Sequence, residues 1–220
     1  MKKDDKTNKL DILLAAVKKD YIEERLKLVE SAGYSINVVD VDSFALINSF
    51  LRNRPHIDSD KTTVLLNIGA ALTNLSIIRG ETICLVRDVM IGGNDFDNAI
   101  SKSLGIDIGS LEELKSSPRE RLQDIIVAAK PIYNNILDEV RLSCSYYENQ
   151  CGRNVDEFYM SGGNALLAGS EEVFQEAFGI KPSLWNPMQF LEISSGPRID
   201  KVLLDSVNNS FAVAVGLALR

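Results

Sequence analysis

The stretch Val64–Val86, VLLNIGAALTNLSIIRGETICLV, decides how this chain is read. An apolar run, Val64-Leu65-Leu66, closes on one uncharged polar residue, Asn67, and Ile68 leads into Gly69 and the small residues Ala70 and Ala71. From Thr73 the chain leaves again as an alternating strand, and Arg79-Gly80 marks a second turn. The pattern predicts three consecutive strands from Thr62 onward, joined by two tight turns. A loop built from Gly and Ala exposes backbone N–H groups with no side chain over them, which is what a nest for phosphate oxygens needs, and Thr73 adds a hydroxyl. The same residues also serve a plain hairpin, so both readings stand at this point.

Outward from this stretch, helices and strands alternate. Toward the N-terminus, Lys9–Val17 is an apolar run read as a strand, and Tyr21, Ile22, Leu26 and Val29 recur at helical spacing before a stop at Gly33. Tyr34–Asp42 reads as a second strand, and Asp42 or Ser43 can cap a helix that runs toward Pro55. Toward the C-terminus, a helix is expected after Asn94 as N-cap, with Gly105 as its stop. Helical stretches follow to Gln150, interrupted at Pro118 and kinked or restarted at Pro131. A strand, a Gly-Gly turn and a helix occupy Asp156–Ile180, then a short strand at Pro182–Pro187 and a final helix at Ser210–Arg220. The class is α/β. Trp185 reads as core or edge packing.

The chain's 220 residues suffice for a sizeable core, and 45% of them are hydrophobic. Lys and Arg number 24 against 31 Asp and Glu, a net charge of −7. No basic stripe with interleaved aromatics is present, so nucleic acid is not an expected partner. No apolar run is long enough for a membrane span, and the charged start carries no apolar signal segment. The three cysteines suggest reduced thiols. Cys144 and Cys151 are the one pair with metal-like spacing, but no further Cys is near and His56 is the only His. A His-based metal site or a Ser-His triad therefore has little to work with.

Two glycine pairs complete the motif set. Phe158–Gly169, FYMSGGNALLAG, is an apolar strand ending in Ser161 and then Gly162-Gly163. Paired glycines at the C-terminal end of a strand let a backbone approach a ligand at the edge where open α/β sheets bind, or simply make a tight turn. Gly92-Gly93 repeats the device, but the next helix opens with Asp95 and Asp97, whose charges suit the helix dipole and would repel phosphate. That pair is read as packing or cleft lining. A strand–Gly–strand hairpin after Asn67 and a strand–GlyGly turn after Ser161, about 90 residues apart, are more specific together than either is by itself.

Five stretches, in order, resemble the PilM family of type IV pilus assembly proteins, which is similar to the cell-division protein FtsA: Leu10–Leu46, Leu65–Ile100, Ile136–Gln150, Phe158–Gly169 and Phe211–Arg220. The resemblance implies an actin-like ATPase fold of the ribonuclease H-like kind. It implies that residues 1–40 form part of a small inserted subdomain of the SHS2 type. Residues 41–57 would be a connecting helix of the first lobe, and 58–220 the second lobe with a helical subdomain at 111–157. Family members begin with an Asp-x-Gly first phosphate loop. No such strand turn precedes Lys9, so the chain is expected to match the C-terminal two-thirds of the family and to bind ATP weakly or not at all by itself.

The same resemblance implies roles for individual residues. Asn67, Gly69, Ala70 and Thr73 would form the second phosphate loop, and Gly162, Gly163 and Asn164 the adenosine loop. Glu139 or Arg141 would touch ribose or base, although a solvated helix face explains those two equally well. ATP and Mg are the expected cofactors of the full-length protein. Many actin-like ATPases carry Asp at the position of Asn67. An amide keeps one oxygen, loses the charge and cannot act as a base, so Asn67 would serve a metal weakly, through water, and hydrolysis would be slow. The implied partners are the N-terminal cytoplasmic segment of PilN, in a groove partly contributed by Leu10–Leu51, and other platform proteins of the inner membrane. The implied location is cytoplasmic and peripheral to that membrane. Ala212 and Gly216 lie four apart, a spacing that permits close helix contact between the two connecting helices, or plain packing. Two other classes remain: a scaffold with a vestigial nucleotide site, and a kinase of the same superfamily, for which no general base stands out near the glycine turns.

Overall fold

The computed structural model describes residues 2–4, 9–11, 14–54, 58–116, 118–192 and 200–220. It divides into two units, Met1–Val41 and Asp42–Arg220. In the first, β1 (Lys2–Asp4) pairs antiparallel with β2 (Lys9–Asp11), and α1 (Lys19–Ser31) follows. The helix ends where Gly33 adopts φ +86°, the expected stop. The strand expected over Lys9–Val17 is confined to Lys9–Asp11; Ile12 and Leu13 lie outside the described residues. The strand expected over Tyr34–Asp42 is not formed, because Val38, Val39 and Val41 suit a strand but their backbone finds no ladder partner among the described residues. Asp42 instead opens the next helix.

The second unit begins with α2 (Asp42–Arg52). The three predicted strands are β3 (Thr62–Ile68), β4 (Thr73–Arg79) and β5 (Thr82–Val89). Next come α3 (Gly93–Leu104), α4 (Leu111–Ser116) and α5 (Leu122–Cys151). β6 (Glu157–Ser161), α6 (Ser170–Phe178), β7 (Ser183–Leu184), α7 (Lys201–Val207) and α8 (Ala212–Ala218) complete it. Pro55 and His56 lie outside the described residues. The strands form one sheet in the order β5-β4-β3-β6-β7. The first three make an antiparallel meander, and β3–β6 and β6–β7 are parallel.

Strand β3 explains the rest of the packing. Val64, Leu66 and Ile68 point into a core with Phe96 and Ile100 of α3 and Ala129, Tyr133, Ile136 and Val140 of α5. Leu65 points the other way, into a cluster with Leu46, Ile47 and Phe50 of α2 and Ala212 of α8. A central strand covered on both faces reads as a continuous apolar run rather than an alternation. Trp185 belongs to the second cluster, its ring edge-on to Phe50 at 5.4 Å. Helix α5 runs unbroken through Pro131. Proline removes the bond to the Val127 carbonyl, but Val127 sits on the exposed side of the helix, where water replaces it.

Two contacts fix α2 and the segment after it: one to α8, one to the sheet. Gly216 of α8 lies so close that a Cβ there would stand 1.8 Å from the Ala45 carbonyl oxygen, so the two helix backbones touch. At the other end, Glu157 receives Arg54 at 2.8 Å and Lys61 at 2.7 Å, while the Arg54 guanidinium lies 4.8 Å over the Tyr159 ring. Burial by itself would raise the Glu157 carboxyl, but hydrogen bonds from Lys61 and Arg54 outweigh it and hold the group below the ordinary glutamate value.

Gly216→Ala is expected to cost at least about 2 kcal/mol, because backbone rather than a mobile side chain must give way, and thermal unfolding will report it. Glu157 has a depressed folded-state pKa, so its stabilisation is complete above the unfolded value of about 4.3 and is lost as pH falls through the lower, folded one. Urea unfolding of Glu157→Gln against the native chain is expected to differ by about 1–2 kcal/mol at neutral pH and to converge in acid.

Candidate functional site

The β3–β4 hairpin closes over Gly69–Leu72, with the Gly69 N–H donating to the Leu72 carbonyl at 3.0 Å. Two carbonyls of this loop are held by the start of α3. The Gly93 N–H donates to the Gly69 oxygen and the Asn94 N–H to the Ala70 oxygen, both at 2.8 Å. In a trans peptide the carbonyl of one residue points opposite to the N–H of the next. The Ala70 and Ala71 N–H groups are therefore turned away from α3, and neither finds an acceptor among the described residues. The loop thus presents two outward backbone donors, on the exposed residues Ala70 and Ala71.

The Gly92-Gly93 pair makes this approach possible. A Cβ on Gly92 would lie 2.6 Å from the Leu72 nitrogen and 2.7 Å from the Ala70 oxygen. The Gly92 N–H donates to the Asp95 carboxylate at 2.8 Å. Gly92, not the expected Asn94, is the N-cap: the helix starts at Gly93, so Asn94 already lies in its first turn, where its free N–H bonds the hairpin. The amides at the head of α3 are used within the protein and the hairpin is what presents free donors. Thr73, expected to add a hydroxyl to the loop, is buried and donates to the Ile91 carbonyl at 2.9 Å, bracing the loop from behind.

The second turn follows β6. Gly162 adopts φ +90°, and a Cβ there would lie 2.4 Å from the Ile68 carbonyl oxygen, so only glycine fits. Its N–H donates to the Asn209 carbonyl at 2.9 Å. Gly163 is exposed, with only the Ser210 hydroxyl near. Asn164 reaches across to the hairpin, its amide donating to the Gly69 oxygen at 3.4 Å, and it lies where a side chain on Gly93 would be. The three glycine turns form one structure, joined at Gly69.

Asn67 stands at the same sheet edge within a ladder of side chains across four strands. The Ser161 hydroxyl donates to the Asn67 Oδ1 at 3.1 Å, the Asn67 Nδ2 donates to the Asn74 Oδ1 at 3.1 Å, and the Asn74 Nδ2 donates to the Asp88 Oδ1 at 2.8 Å. The pairs follow from register: Asn67 opposes both Asn74 and Ser161, and Asn74 opposes Asp88. Asn74, Asp88 and Ser161 carry no role in the motif reading. Counting outward from the Gly69 turn would have found Asn74, since residues equidistant from a hairpin turn face each other; Asp88 is displaced by one through the bulge at Ile77-Ile78, and Ser161 is reached only through the parallel β3–β6 pairing.

Glu139 and Arg141 stand on α5. Glu139 pairs with Arg87 of β5 at 2.5 Å. Arg141 pairs with Asp138 at 3.0 Å and lines a separate groove of about 790 Å³ between α5 and α6, with Gly169 at its edge. The polar side chains that share a cleft with Gly163 and Asn164 come from α4, α7 and the turn that joins α7 to α8. Glu112, Lys115, Ser206 and Ser210 help bound about 490 Å³ there. Burial opposes the charge of Lys115, but Asp97 and Glu112, each at 2.9 Å, outweigh it and raise its pKa, so it remains a cation. Their spacing from the glycine turns gave no signal in the sequence. Cys144 is buried, and its thiol is pushed up to about 12 by burial and then by Glu148.

A family model described as type IV pilus assembly protein PilM matches residues 1–220. Among curated proteins, the chain is 24% identical over 148 residues to the ethanolamine utilization protein EutJ of Escherichia coli (strain K12), covering 66% of this chain and 49% of that protein. It is 25% identical over 185 residues to the cell division protein FtsA of Streptococcus pneumoniae serotype 2 (strain D39 / NCTC 7466), covering 74% and 40%. The chain thus spans half or less of these relatives. Among solved structures, a PilM-PilN type IV pilus biogenesis complex matches at 28% identity with a TM-score of 0.78, over 90% of this chain and 57% of that one. EutJ from Carboxydothermus hydrogenoformans matches in fold at 17% identity and a TM-score of 0.67, over 92% and 62%. MreB 5 of Spiroplasma citri bound to AMPPNP does so at 14% and 0.62, over 93% and 65%. The fold is that of actin-like ATPases.

The two glycines of the second turn are expected to respond differently. Gly162→Ala will destabilise the unit by at least about 2 kcal/mol, through positive φ and collision with β3 backbone, whereas Gly163→Ala will stay within about 1 kcal/mol. Parallel urea titrations followed by circular dichroism give both values.

Proposed function

The chain belongs to the PilM family of type IV pilus assembly proteins, and on that premise we propose that its second unit supplies one wall of an ATP site in the full-length protein. The observation that carries this is the arrangement of the hairpin: α3 holds the Gly69 and Ala70 carbonyls, so the Ala70 and Ala71 amides face outward as anion donors beside the Gly162 turn. The hairpin would take phosphate oxygens. Gly163 and Asn164, with the cleft bounded by Glu112, Lys115 and Ser210, would take the nucleoside. Glu139 or Arg141 of α5 would touch ribose or base, with Glu139 paired to Arg87 and Arg141 to Asp138 in the absence of nucleotide.

The donor set also bears on the metal. Mg²⁺ prefers carboxylate, phosphate and water oxygens. Asn67 offers one amide oxygen, already accepting from Ser161, so it fits a cation only through an intervening water. It cannot take a proton from an attacking water. This supports nucleotide binding that sets conformation, with slow hydrolysis at most.

The partner reading rests on the PilM-PilN complex, whose PilM resembles this chain at 28% identity. We propose docking of the N-terminal cytoplasmic segment of a PilN-type protein, with other inner-membrane platform proteins beyond it. Among the described residues no helix is long and apolar enough to cross a membrane, so a peptide tether would bring this part of the protein to one. A second reading, an adaptor whose nucleotide site is vestigial, is favoured by the engagement of both Asn67 side-chain atoms within the sheet.

Calorimetric titration separates the two. The full-length protein is expected to bind MgATP in the micromolar range, while turnover remains far below the roughly 1–10³ s⁻¹ usual for enzymes. No heat of binding would favour the adaptor. Rapid multiple turnover would overturn the role given to Asn67, and a PilN N-terminal peptide that fails to retain the full-length protein would overturn the partner.

A further inference from the structure

Asp88 stands at the outer end of the side-chain ladder, exposed on the edge strand β5. It is the one charged member, and an ionised carboxylate can only accept hydrogen bonds. Asn74 must therefore turn its NH₂ toward Asp88, as it does at 2.8 Å. That leaves the Asn74 oxygen facing Asn67, which answers with its own NH₂ at 3.1 Å. The Asn67 oxygen then faces Ser161, whose hydroxyl donates at 3.1 Å. Each amide has two orientations of nearly the same shape, and a chain of amides and hydroxyls could run in either direction. One terminal carboxylate selects a single direction for the whole ladder.

We infer that Asp88 is a positioning residue: acting through Asn74, it fixes the amide of Asn67 so that the carbonyl oxygen, not the NH₂, stands on the β6 side of the site. The consequence is chemical. An oxygen at that place accepts from the water of a hydrated cation, whereas an NH₂ there repels one. The functional half of this inference rests on the nucleotide reading above; the orientational half does not.

The orientation is read from side-chain amide NMR signals of Asn67 and Asn74 in the ¹⁵N-labelled chain. Asp88→Asn keeps the shape and removes the exclusive acceptor; Asp88→Ala removes the anchor. Both are expected to speed exchange of the Asn74 and then the Asn67 NH₂ protons, by about tenfold in the alanine variant, as loss of one anchored hydrogen bond predicts. The thermal midpoint will move little, because Asp88 is a surface residue. Asn67 signals unmoved in either variant would overturn the inference. In the full-length protein, Asp88→Ala is expected to weaken MgATP binding about five- to tenfold and leave binding of ATP in EDTA unchanged. Equal weakening of both would overturn the cation role. If the native full-length protein takes up no ATP, the nucleotide reading fails, while the amide signals still decide whether Asp88 orients Asn67.

Discussion

Two hydrogen bonds at the head of α3 carry the architecture of the site. The Gly93 and Asn94 amides hold the Gly69 and Ala70 carbonyls, and the planarity of the peptide bond then turns the next two N–H groups outward. The arrangement requires helix and hairpin backbones to approach without side chains between them, which is why Gly92 and Gly93 stand where they do. A helix N-terminus could bind an anion directly. Here its first donors are used to shape a loop, and the loop presents the donors.

The scaffold beneath is the central strand β3. Shared between β4 and β6 and covered on both faces, it sends alternate residues into two separate cores and delivers Asn67 to the sheet edge beside both turns. The parallel pairing with β6 places Ser161 opposite Asn67 and thereby sets the Gly162 turn beside the hairpin. The α2–α8 contact at Gly216 and the Arg54–Glu157–Lys61 group brace the opposite face and end of the same sheet.

Asn67 has a different meaning inside this frame. As an isolated residue it is an uncharged amide near the end of an apolar strand. In the folded protein it is one rung of a directional chain of amides whose charge lies two residues away laterally, on Asp88. An amide there offers an oxygen but no base, which is the chemistry behind the proposed role in holding a nucleotide.

The sequence by itself determined the α/β class, the three-stranded meander, the glycine turns and the family, because each depends on contacts between near neighbours or on motifs of fixed spacing. The hairpin was legible from Gly69, and the Gly162 turn from its place at a strand end. It misjudged Tyr34–Asp42, where strand-forming residues lack a ladder partner among the described residues, and the start of α3, which begins at Gly93 because the helix head packs against the hairpin backbone. Only the tertiary structure decided which polar side chains meet. Glu112 and Lys115 of α4 line a cleft with Gly163 and Asn164, a meeting of segments about 50 residues apart that no local periodicity encodes. The ladder from Ser161 to Asp88 likewise exists only once strand register is set, since a shift of one residue would send every one of those side chains to the other face.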